Sequence, residues 1–172
     1  MTMVRTFTVL EALFLALWVG ALAAFALLFA PIAFRIVPDM DVFATLIAQV
    51  LWALTILGFV CGVLAIVAAA IRARDDAMRP LALLRIVLLV LMLAASAFGA
   101  LAIVPAMQST AKTVNGPISS IPETDPRRME YDAQHRESTV VYGFVLLLGL
   151  GAVALAAVGR LESRPRYQRY TR

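Results

Sequence analysis

The chain has 172 residues, 62% hydrophobic and 15% charged, with a formal net charge of +4 and a mean hydropathy of +0.89. Soluble domains carry about 45–50% apolar and about 25% charged residues, so no water-soluble core could hide this much apolar surface, and the composition points to an integral membrane protein. The single cysteine, Cys61, excludes an intramolecular disulfide, and a basic excess spread over loops and a tail reads as membrane topology rather than a nucleic-acid surface.

Four runs contain no charged residue: 12–34, 42–71, 86–111 and 138–159. Each reaches the roughly 20 residues that a helix needs to cross about 30 Å of hydrocarbon. Leu and Ala dominate all four, and none alternates as a barrel strand would. The expected fold is an all-α membrane bundle of four transmembrane helices at about 8–35, 42–71, 81–108 and 126–159, one domain over 1–159 followed by a basic tail at 160–172. No internal repeat stands out.

The first helix carries small residues every four positions, Ala12, Ala16, Gly20 and Ala24, a face on which helices approach closely in lipid. At 23 uncharged residues it exceeds the 7–15 of a signal-peptide core, so cleavage is not expected. Pro31 near its far end removes a backbone donor and is expected to kink or terminate it. A short connection with Pro38 and Asp39 makes helices one and two an antiparallel pair. In the second helix Gln49 is the most polar side chain, an amide expected to be buried and to bond Ser138 or Tyr142 of the fourth.

Pro80 suits the first turn of helix three. The connection that follows is long, about 109–125, and contains Asn115-Gly116-Pro117 and Pro122. Asp125-Pro126 reads as a helix cap with proline at the first helical position, so helix four is expected to start there, some three turns before its apolar part. The tail, with Tyr167 and Tyr170 among its arginines, reads as an interfacial anchor.

Ten Lys and Arg residues fall in the N-terminus, second connection and tail, against five in the first and third connections, which also hold seven acids. Both termini are therefore expected in the cytoplasm. Glu11 and Arg85 are the ionisable groups nearest hydrocarbon depth, at comparable height on helices one and three; they either form an ion pair or snorkel separately to the headgroups.

The only histidine, His135, lies in "YDAQHRES". On a continuous helix Tyr131, His135, Ser138 and Tyr142 share one face, so His135 is expected to point inward at the outer rim, towards Pro31 and Arg35, as a hydrogen-bonding clasp. The candidate polar site is thus His135, Ser138, Tyr142, Tyr131, Gln49 and Arg35. No Cys/His spacing suits zinc and no phosphate loop is present, so no catalytic residue, metal ligand or cofactor is assigned and enzymatic activity is not expected. A lone histidine excludes bis-histidine haem within one chain; a His/Met haem or soft copper site with Met107 or Met129 stays chemically open.

"LWVGALAAFALLFAPIAFRIVPD" resembles the signature of the transmembrane protein 205-like family, bacterial four-helix membrane domains of unknown function. Its Trp-x-Gly, Ala-Pro and Phe fall on Trp18, Gly20, Ala30, Pro31 and Phe34, and "HRES" is similar to its histidine and serine at the start of helix four. The resemblance covers about 10–159 and implies a multi-pass bacterial inner-membrane protein; it implies no reaction. The expected role is structural or assembly-related, with the lipid bilayer and a second copy, met through the small face of helix one, as partners and no nucleic acid. The alternative is a small transporter or metal- or haem-binding protein using His135.

Overall fold

In hydrocarbon no water completes the hydrogen bonding of an exposed backbone, so an apolar run must satisfy its amides and carbonyls within itself, which a helix does. The computed structural model describes the backbone of residues 2–74 and 79–162 and the side chains of 6–74 and 80–157. The basic tail, with Tyr167 and Tyr170, lies outside the described residues, apart from the backbone to Glu162. Among the described residues all regular structure is helical, with no strand. Four helices are long and apolar enough to cross a membrane: Thr6–Ile36, Met40–Arg72, Pro80–Lys112 and Pro126–Ala157.

The first span runs through α1 (Thr2–Ala24), a π-helical segment (Phe25–Phe29) and α2 (Ala30–Ile36). Pro31 does not end the helix. The turn before it widens, so that the Ala30 N–H bonds to the Phe25 carbonyl five residues back, and the chain remains helical beyond. Asp39 caps α3 (Met40–Arg72), its carboxylate accepting from the amides of Asp41 at 2.8 Å and Val42 at 3.1 Å. The third span repeats the device of the first: α4 (Arg79–Phe98), a second π segment (Gly99–Ile103) and α5 (Val104–Lys112), with Pro105 just past the widened turn.

Helix α5 continues to Lys112, so the irregular connection is shorter than the 109–125 expected from the sequence. Gly116 takes φ +120°, a left-handed conformation that glycine adopts without strain. A 3₁₀ turn (Ile118–Ser120) leads to α6 (Pro126–Glu162). Asp125 caps it by accepting from the Arg127 amide at 2.9 Å, while Arg128 reaches back to the carbonyls of Ile118 and Ile121. The connection is thus tied down at its far end.

Sequential spans pack as neighbours and α6 closes the ring against α1. The core is built from Leu15, Trp18, Leu22, Leu89, Met92 and Val145, with small residues where helices come close. Trp18 lies over Gly58 and Gly62 of α3: a Cβ at Gly58 would overlap the indole nitrogen, and one at Gly62 would stand 2.9 Å from the ring and 2.8 Å from Leu93. Large apolar side chains such as Leu27, Trp52, Leu101 and Leu147 point outward, the inverse of a soluble bundle and the pattern that lipid solvates.

Candidate functional site

Two polar layers interrupt the apolar interior. The first lies at the end of the bundle that carries the N-terminus. Glu11 of α1 is 1% exposed and stands between two arginines of other spans. Arg72, the last residue of α3, donates through Nη1 to Glu11 Oε2 at 2.5 Å, and Arg85 Nη1 of α4 lies 3.3 Å from Glu11 Oε1. The arginine side chains are 7% and 1% exposed. Glu11 and Arg85 are therefore brought together, and Arg72, read from sequence only as a topology charge, is the closer partner. Its place directly after an uncharged run, level with Glu11, was the available signal.

Burying these charges is costly, because each ion loses its water and recovers the loss only through close, aligned partners. Alignment here is incomplete. Glu11 Oε1 and Arg72 Nε have no hydrogen-bond partner among the described residues, so the cluster ties three helices together more through charge than through a finished hydrogen-bond network.

The second layer lies deeper, towards the opposite end. Thr55 of α3 donates to the Leu51 carbonyl at 2.8 Å, which commits its proton. The Tyr142 hydroxyl of α6, at 3.5 Å, is then the donor to Thr55 Oγ1. From the sequence, Gln49 is the residue expected at this contact. Gln49 is exposed instead, a turn and a half before Thr55 on the outer side of α3, and makes no bond to Ser138 or Tyr142.

His135 does not form the expected inward clasp. It is exposed, and the side chains that reach it, Ser138 at 2.8 Å and Thr139 at 3.0 Å, donate to its backbone carbonyl and not to its imidazole. The inward stripe of α6 runs through Gln134, Ser138, Val145 and Ala152, and His135 lies one residue, about 100°, round from Gln134. At this height the neighbour is α5, and Gln134 meets it by accepting from Thr110 at 3.3 Å. Arg35 is exposed as well and Tyr131 half-buried, so the six residues do not form one site: Ser138 and Tyr142 turn inward, and His135, Gln49 and Arg35 turn out.

The motif of helix one divides similarly. Trp18 enters the core, while Gly20, Pro31 and Phe34 face outward, Phe34 meeting Phe43 edge-on at 5.5 Å. Among the described residues no three His, Cys, Asp or Glu side chains are grouped to hold a metal ion.

A model of a domain of unknown function (DUF4149) matches residues 13–115, more than half of the chain and three of its four spans. No curated protein and no solved structure matches.

Proposed function

We propose, for a chain that belongs to the family defined by the domain of unknown function DUF4149, a role as a membrane assembly protein, without catalytic activity of its own, that self-associates through the first span. One observation carries this reading. Ala16, Gly20 and Ala24 line an outward face of the first span, and a Cβ built at Gly20 would meet nothing within 4 Å. Large outward side chains find lipid an adequate solvent, whereas a bare strip of backbone gains dispersion only when another helix comes close. A second copy presents the same strip, so a two-fold contact is self-complementary.

The charge distribution, ten basic residues against five, supports an orientation with both termini in the cytoplasm. The resemblance of Trp18, Gly20, Ala30, Pro31 and Phe34 to the transmembrane protein 205-like signature supports a bacterial inner membrane. Cross-linking in native membranes tests the contact. With an added thiol oxidant such as a copper–phenanthroline complex, Gly20→Cys chains are expected to form disulfide-linked dimers, and Gly20→Leu, which has room within the monomer, is expected to abolish association without lowering the melting temperature. A Gly20→Leu chain that associates like the parent would refute the reading.

A further inference from the structure

The two π segments recur at a fixed displacement. Phe25–Phe29 precedes Pro31 as Gly99–Ile103 precedes Pro105, 74 residues later in each case (99 less 25, 105 less 31). The same displacement carries Glu11 onto Arg85, Leu15 onto Leu89, Trp18 onto Met92 and Leu22 onto Ser96, and every one of these is buried.

A second displacement relates the second and fourth spans. Thr55 and Tyr142, which bond each other, are 87 residues apart. That shift pairs Gly58 with Val145, Ala65 with Ala152 and Ala69 with Ala156, again all buried. It also pairs Gly62 with Gly149, and the neighbours correspond in turn. Gly62 faces Trp18 and Leu93; Gly149 faces Met92 and Val19, their counterparts under the first shift. The difference of 13 residues between the shifts (87 less 74) lies in the longer connection before α6.

The surface repeats as well. One groove of about 380 Å³ is lined by Ala24, Phe29, Val50 and Leu54 among others; a second of about 540 Å³ is lined by Phe98, Ile103, Glu137 and Val141, the counterparts of those four.

We infer that the protein is a fused pair of equivalent helical hairpins, α1 to α3 and α4 to α6, facing each other across a pseudo-two-fold axis that runs along the bundle. The first and third spans run in the same direction, so the operation is a rotation about the membrane normal rather than an inversion. On such an axis a residue meets its own counterpart. Two copies of the second hairpin would oppose Arg to Arg at position 85, and like charges in a buried contact repel, whereas in the first hairpin Arg72 already accompanies Glu11. The Glu11–Arg85 exchange makes the contact heterotypic: the second hairpin, which sets Arg85 against this layer, fits the first hairpin and rejects a copy of itself. Arg72 is the asymmetric addition, since its counterpart position holds Gly159.

Charge exchange within the full chain tests this. Glu11→Arg and Arg85→Glu, made singly, are each expected to lower the melting temperature of detergent-purified protein by about 10 °C or more. The double exchange is expected to recover at least half of the loss. A double variant no better than the worse single overturns the axial pairing. The glycines test the equivalence independently. Gly62→Ala is expected to be partly relieved by Leu93→Ala, and Gly149→Ala by Val19→Ala, each trimming the opposite hairpin while Trp18 or Met92 still crowds the new methyl. Relief in only one of the two combinations overturns the two-fold relation.

Discussion

Glu11 holds its position because guanidinium groups from two other spans converge on one carboxylate, and the consequences of removing each partner differ in size. Neutralising Glu11 leaves two positive side chains facing each other in a desolvated layer; neutralising Arg72 leaves Glu11 with Arg85 still 3.3 Å away. Breaking a buried pair costs about 3–5 kcal/mol. Glu11→Gln is therefore expected at the upper end of that range and Arg72→Gln at or below the lower, measured as unfolding free energy in detergent. A larger loss for Arg72→Gln would mean that the short Arg72 contact, not charge balance, holds the layer. Thr55 and Tyr142 carry no charge, and their single bond at 3.5 Å serves to fix register between α3 and α6.

At the scale of elements, each interruption has a local chemical cause. Both π segments precede a proline, whose missing N–H and bulky ring are accommodated by widening the turn before it rather than by ending the helix. The start of α6 is held by Asp125, whose carboxylate accepts from the Arg127 amide and from its guanidinium at 2.7 Å and 3.0 Å. Those bonds hold the Asp125 carboxyl down to about 2, from 3.8. A group whose folded value is depressed contributes stability above its unfolded value and loses it as the pH falls through the folded one. The first turn of α6 is thus expected to loosen between about pH 4 and about pH 2, read as rising mobility of a spin label at Glu123. In Asp125→Asn, whose amide caps without titrating, that pH dependence is expected to vanish; its persistence would place the titrating group elsewhere.

For the whole molecule, four spans in a closed ring leave many large apolar side chains on the outside, so folding and lipid solvation are coupled. The charge distribution gives an expectation for topology. Reporter fusions active only in the cytoplasm are expected to be active at both termini and silent after Glu123. Activity at Glu123 would reverse the orientation, and with it the side on which the Glu11 layer lies.

Four spans and their helical nature were legible in the sequence, because a run of some twenty uncharged residues has one low-energy conformation in hydrocarbon whatever surrounds it. The caps at Asp39 and Asp125 are equally local, a carboxylate reaching amides two or three residues ahead. Rotation of each helix was not legible. His135 and Gln134 differ by one position, and only the location of α5 decides that Gln134 turns inward and His135 out. Arg72 joins Glu11, and Gly58 receives Trp18, because packing brings together residues distant in the chain. The two-fold relation was hidden for a related reason: where Leu and Ala dominate, matches at 74 or 87 residues arise by chance, and the correspondence emerges only from which positions are buried and which neighbours they meet.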